Sequence, residues 1–238
     1  GTLMARIAGE RSIPNDSPLF AATERQFREN LQRLLVGYAD AGVPVFIATL
    51  ASNERDQPPF VSAPVPPAES ERWQALEAAT RQAIARGRRD EAYRDAAALV
   101  RVHDSSADAW YLLGQVAEAD RRSEEARHAY LAAKDRDMLR FRAPESFNDI
   151  IRTSAHETGA TVVDVQSALA GAATGGIIGN DLMLEHLHPN LAGYFLLSDA
   201  FYAAMMAADI GGPGAQFVDT ATARREMPVM EAGRLAAE

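Results

Sequence analysis

A repeat spaced by 34 positions runs through the middle of this chain and constrains its fold more than any other feature. From Ala68 to Asp137 the sequence is rich in Ala, Arg and Glu and contains no proline. Such a run is helical throughout, because nothing in it removes a backbone donor or locks the backbone out of the helical region. Within it the pattern Trp110, Leu113, Gly114, Ala117, Ala126, Tyr130 and Ala133 has a weaker copy 34 positions earlier in Leu76, Ala79, Ala83, Ala92, Ala96 and Leu99. Arg88-Arg-Asp-Glu-Ala92 likewise aligns with Arg122-Ser-Glu-Glu-Ala126. Small residues at these places let two helices of a hairpin approach closely. Two such repeats bury little by themselves and need the rest of the chain to lean on.

The flanks have a different texture. Phe27, Leu31, Leu34, Leu35 and Tyr38 recur at helical spacing, and Gly42 is positioned to end that helix. Val43–Leu50 follows as a short, nearly all-apolar run, which reads as a strand covered on both faces. The polar segment Ala51–Phe60 and a cluster of prolines lead into the repeats. Beyond them, Pro144 opens a helix over 145–157 that Gly159 ends, and Thr161–Val165 reads as a second buried strand. A Gly-rich loop over 171–179 leads to Glu185-His-Leu-His-Pro-Asn190, with Pro189 suited to the first turn of a final apolar helix. That helix is apolar on nearly every face, so burial in a core is expected, with Gly211–Gly214 stopping it. The predicted architecture is therefore an α/β domain with a parallel sheet, interrupted by an all-α insert. Its segments are 1–66 and 141–211 for the α/β part, 67–140 for the insert, and 212–238 for a tail.

Composition removes several function classes. Lys and Arg total 24 against 33 Asp and Glu, a formal charge of −9 that opposes binding to a phosphate backbone. Zero cysteines exclude disulfides, zinc–thiolate sites and a Cys nucleophile. No apolar run reaches the roughly 20 residues that cross a bilayer. The chain opens Gly-Thr-Leu-Met, and the expectation is a portion of a longer protein.

The chemistry-bearing signal is Glu185-x-x-His188-Pro189. A carboxylate three residues before a His can hold the imidazole in one tautomer while the ring acts as general base. His186 and His188 also form an H-x-H pair near Glu185 and Asp181, a weaker pattern for a metal; the assignment is no metal and no cofactor. His103, His128 and His156 fall in helices and read as polar surface or cap residues.

The block Glu185-His-Leu-His-Pro-Asn-Leu-Ala-Gly-Tyr194 resembles the last block of the SGNH (GDSL-type) hydrolases, D-x-x-H-P. The spacing of the helical repeats resembles the tetratricopeptide pattern, and the chain is most similar to the SGNH branch that carries such an insert. Thr49-Leu-Ala-Ser-Asn-Glu-Arg-Asp-Gln-Pro-Pro-Phe60 and Asp137-Met-Leu-Arg-Phe-Arg-Ala143 match two further elements of that branch, in order. The resemblance spans about residues 20–205. It implies a flavodoxin-like parallel sheet and a serine-dependent ester hydrolase or acyl transferase. In that scheme His188 is the base, Glu185 its orienting carboxylate, and an ester or acylated small molecule or glycan the substrate. Asn53 is then a candidate pocket-wall residue and Arg142 a candidate to bind an anionic group, with Arg55 and Asp56 pairing nearby.

Two departures stand out. Glu185 replaces the family's Asp, and the G-D-S nucleophile turn is missing. Asn15-Asp16-Ser17 imitates that turn, but no apolar strand precedes it, so Ser17 reads as a loop or helix-start residue. The nucleophile is therefore expected upstream of residue 1, and the chain alone is expected to be inactive. The alternative is an interaction module that binds a peptide or protein on its helical repeats, with a catalytically inactive α/β scaffold.

Overall fold

The computed structural model describes residues 12–210, 212 and 218–226. It is mostly helical, with nine α-helices and one two-stranded parallel sheet among the described residues. The helices are α1 (Pro18–Asp40), α2 (Ser70–Ala85), α3 (Arg89–Val102), α4 (Ala107–Ala119) and α5 (Ser123–Arg136). They continue as α6 (Glu145–Thr158), α7 (Val165–Ala172), α8 (Leu191–Ala207) and α9 (Thr220–Glu226). Strand β1 is Phe46–Ala48 and β2 is Thr161–Val163. No helix among the described residues is long and apolar enough to cross a membrane.

The chain forms two compact units. One joins described residues 12–23 to Glu54–Pro144; the other joins Glu24–Asn53 to the described residues from Glu145 onward. This division differs from the expected segments, which gave all of 1–66 to the α/β part. Hydrogen bonding explains it: Ile13 N–H donates to the Met138 carbonyl and Met138 N–H to the Val61 carbonyl, both at 2.8 Å. Both ends of the early segment are thus tied to the exit of the helical repeats.

In the α/β unit, β1 and β2 run parallel with Phe46, Ile47 and Ala48 opposite Thr161, Val162 and Val163. Alternation sends Val45 and Ile47 to one face, against Leu31 and Leu35 of α1 and Ile150 and Ile151 of α6. Phe46 and Ala48 face the other way, against Leu169 of α7, Leu182, Met183 and the α8 residues Leu196, Leu197 and Phe201. Helices therefore pack against both faces, yet β1 stays half-buried and only Val163 of β2 is buried, less than the expected full cover.

Both strands are shorter than their apolar runs, for local reasons. Leu50 does not continue β1; its N–H and C=O pair with the side-chain amide of Asn148 at 2.7 and 3.0 Å, where a neighbouring strand would otherwise stand. Asp164 ends β2 by capping α7, accepting from Ser167 N–H at 3.2 Å. The capping Asp164 makes 165–172 a helix that reaches into the expected Gly-rich loop. A 3₁₀ turn at Thr174–Gly176 follows.

The expectations for α8 are corrected. Its N-cap is Asn190, whose Oδ1 accepts from Gly193 N–H at 3.1 Å, so Pro189 lies before the helix and not in its first turn. Gly193 is its one buried residue, while Tyr194 is 51% exposed. One face packs on the core; on the opposite side Tyr202 Oη accepts from Val218 N–H at 3.2 Å, Asp199 accepts from the Thr220 hydroxyl at 2.9 Å, and Arg224 lies over the Phe195 ring. The helix ends at Ala207, ahead of the expected glycine stop. Of that stop and tail, only Gly212 and 218–226 lie within the described residues.

In the helical unit the boundaries repeat with the sequence. Arg89–Val102 and Ser123–Arg136 are offset by 34 positions at both ends, and so are the last residues of α2 and α4, Ala85 and Ala119. The turns match as well. Gly87 and Arg121 both adopt positive φ, 67° and 60°, and the following N–H groups of Arg88 and Arg122 return to Ala83 and Ala117 at 2.9 Å. Gly114 sits where an added Cβ would lie 2.8 Å from the Tyr130 ring. The small residue of the pattern is what admits that buried tyrosine between α4 and α5.

Candidate functional site

The loop between Gly179 and α8 is a tight, heavily bonded turn in the α/β unit. Asn190 N–H donates to the Leu182 carbonyl at 2.9 Å and Leu184 N–H to the His188 carbonyl at 2.8 Å, with Met183 and Pro189 bridged antiparallel. These bonds project Glu185, His186 and Leu187 as the tip. The side chain of Glu185 closes the tip: its Oε1 accepts from His188 N–H at 2.7 Å and from Leu187 N–H at 3.3 Å.

The same oxygen lies 2.5 Å from His188 Nδ1, and Oε2 pairs with His186 Nδ1. An ionised carboxylate only accepts, so both ring nitrogens donate to it. Partial desolvation opposes the Glu185 charge, but the His188 backbone and ring donors, the His186 ring and Leu187 N–H outweigh it. The carboxyl is therefore held below its ordinary value and is ionised at neutral pH. For His188, donation from Nδ1 leaves Nε2 as the proton acceptor. Its side chain is 64% exposed, so that nitrogen is open to a reactant.

Asn53, placed by the end of the β1 segment, joins this loop. Its N–H donates to the His186 carbonyl at 3.1 Å and its Nδ2 to Asn180 Oδ1 at 2.7 Å. At 1% exposure it braces the loop from inside and presents no side-chain surface to a ligand. Asn190 adds a second brace, donating to the carbonyls of Asn180 (3.3 Å) and Asp181 (3.0 Å) while capping α8. Asp181 itself accepts from Thr174 N–H at 2.7 Å. His186 was singled out only as half of an H-x-H pair, and Asn180 and Asn190 were not singled out from the sequence. Of these two asparagines only Asn190 had a legible signal, as a cap residue at the start of an apolar helix.

Arg142 belongs to the helical unit and is 3% exposed. Its Nη2 donates to Asp137 Oδ2 at 3.2 Å and its Nη1 to the Gln57 carbonyl at 2.9 Å. Burial pulls the guanidinium below its usual value against the pull of Asp137. Asp137 also accepts from the N–H groups of Phe60 (2.9 Å), Val61 (3.0 Å) and Leu139 (3.1 Å). The expected anion-binding Arg142 is thus built into a buried joint. The segments around Gln57–Phe60 and 137–143, far apart in sequence, are the two halves of it. Arg55 and Asp56 pair as expected, at 3.3 Å.

Ser17 is the N-cap of α1, accepting from Phe20 N–H at 3.1 Å and donating to the Pro14 carbonyl at 2.8 Å. Among the described residues no hydroxyl donates to the His188 ring, and no group of three or more His, Cys, Asp or Glu side chains is placed to hold a metal ion. Compared with protein-family models, with curated proteins and with solved structures, the chain matches none.

Proposed function

We propose that the loop carrying Glu185 and His188 is the acid–base arm of a serine-dependent, SGNH-type ester hydrolase or acyl transferase. One observation carries this reading: the 2.5 Å contact between Glu185 Oε1 and His188 Nδ1, with the ring otherwise exposed. In this role His188 Nε2 takes the proton of a serine hydroxyl as it attacks an ester carbonyl. It then returns that proton to the leaving alkoxide, while Glu185 stabilises the imidazolium between the two steps. Among the described residues no serine meets the His188 ring, and on this reading the attacking serine is supplied from elsewhere in the working enzyme. Ser17 is committed to capping α1.

The test is hydrolysis of a p-nitrophenyl ester. The 238-residue chain alone shows no turnover above buffer. Should a longer coding sequence carry an apolar strand followed by Gly-Asp-Ser, its longer product is expected to hydrolyse the ester. His188→Ala lowers that rate about 10²- to 10⁴-fold. Turnover by the 238-residue chain that survives Ser17→Ala but disappears with His188→Ala overturns the placement of the nucleophile. Turnover of the longer product that is indifferent to His188→Ala overturns the proposal itself.

A second reading is favoured by the 34-residue register of α2–α5: a tetratricopeptide-like module that binds a peptide or protein, with the α/β unit as an inactive scaffold. Under it, His188→Ala leaves the cellular role intact.

A further inference from the structure

We infer that His186 is a positioning residue for His188, acting through the carboxylate the two imidazoles share. The inference rests on the acid–base reading of this loop and adds a residue that the E-x-x-H-P pattern does not contain.

The argument is geometric. Glu185 has two carboxylate oxygens and each meets a different ring: Oε1 faces His188 Nδ1 and Oε2 faces His186 Nδ1. A glutamate side chain has three torsions, one more than the aspartate usual in such a pair, and its terminal torsion is broad. The His188 ring and the N–H groups of His188 and Leu187 all meet Oε1, so they anchor one corner of the carboxylate and leave its plane to rock about that torsion. A donor on Oε2 removes this freedom, because the two Nδ1–H groups then fix the plane from both sides.

His186 is itself fixed. It is less exposed than His188, 28% against 64% for the side chains, and its carbonyl is held by Asn53 N–H at 3.1 Å. The chain of restraint therefore runs from Asn53 through His186 to Glu185 and then to His188. The extra methylene of Glu185 is accommodated by an extra donor.

The prediction concerns protons on named nitrogens. In the 238-residue chain at neutral pH, His186 and His188 both carry their proton on Nδ1, visible as protonated-type Nδ1 signals in long-range ¹H–¹⁵N spectra. His186→Leu keeps bulk at the position but removes the donor. His188 then shifts towards the Nε2–H tautomer, its tautomer ratio falling about fivefold, the size of one net hydrogen bond. His186→Gln returns a neutral donor to Oε2 and restores the ratio. A bare, unprotonated Nδ1 on His186 in the unsubstituted chain overturns the inference without any variant. So does an unchanged His188 ratio in a folded His186→Leu chain. Neither readout depends on ester turnover, so an inactive enzyme with both Nδ1 protons in place refutes the proposed function alone.

Discussion

Replacing Gly193 with Ala separates what helix propensity alone predicts from what this fold requires. Gly193 lies in the first turn of α8, and in an isolated helix the change to Ala is stabilising by about 0.5–1 kcal/mol. Here a Cβ at 193 would lie 2.3 Å from the Leu182 carbonyl oxygen and 2.9 Å from Pro189 Cβ. Real Cβ contacts do not fall below 3.0 Å, so that carbonyl must retreat by roughly 0.7 Å. It is also the acceptor for Asn190 N–H at 2.9 Å, the bond that closes the Glu185–His188 loop onto α8. Overpacking costs about 1–3 kcal/mol and the weakened hydrogen bond about 1 kcal/mol, against a propensity gain of similar size to the latter. The net expectation is a local destabilisation of about 1–3 kcal/mol. Native-state hydrogen exchange is the assay, because the chain has two units and a single global transition cannot be assumed. Amides of Leu184 and Asn190 should exchange about five- to 150-fold faster in Gly193→Ala, at a tenfold change per 1.4 kcal/mol. Those of α2–α5 should be unchanged. Equal or slower exchange at Leu184 and Asn190 refutes the close approach between α8 and the loop.

Three further outcomes follow from other parts of the fold. Arg121 holds the positive φ that Gly87 holds in the matching turn, so Arg121→Gly should stabilise the helical unit by about 0.5–1 kcal/mol, read as a higher urea midpoint. Asp137→Ala removes one carboxylate from Arg142 and the acceptor of three backbone donors inside a buried joint. A loss of about 3–5 kcal/mol by the same measurement is expected, and a near-neutral result would show the joint to be dispensable. Asp164 is partly desolvated, yet the Ser167 hydroxyl and N–H, the Thr49 hydroxyl and Arg152 outweigh this and depress its pKa, as the loop donors do for Glu185. A depressed folded-state value means stability that is complete above the ordinary carboxylate range near pH 4 and is lost as pH falls below it. Unfolding measured between about pH 6 and 3 should show a shallower decline in Asp164→Asn than in the unsubstituted chain.

Local periodicity carried much of the architecture. The four repeat helices were legible because their spacing, their small residues and their lack of proline all demand the same structure. The two strands were legible as unbroken apolar runs, but not their ends. Those ends depend on Asn148, a residue 98 positions from Leu50 that takes the place of a partner strand, and on Asp164, which turns the chain into α7. The Glu185–His188 pairing was readable because three residues span one turn. The brace behind it was not, since Asn53 meets Asn180 across 127 positions and no local pattern marks either.

The sequence by itself determined most of the helices, the two strands' positions, the 34-residue register and the juxtaposition of a carboxylate with an imidazole, but not α7; these are short-range consequences of backbone preference and side-chain reach. Only the tertiary structure decided that Arg142 is a buried strut, that residues 218–226 return against the far side of α8, and that Glu185 is shared between two imidazoles. Those outcomes depend on what a side chain meets after the chain has closed on itself, which hydrophobic pattern and residue type do not encode.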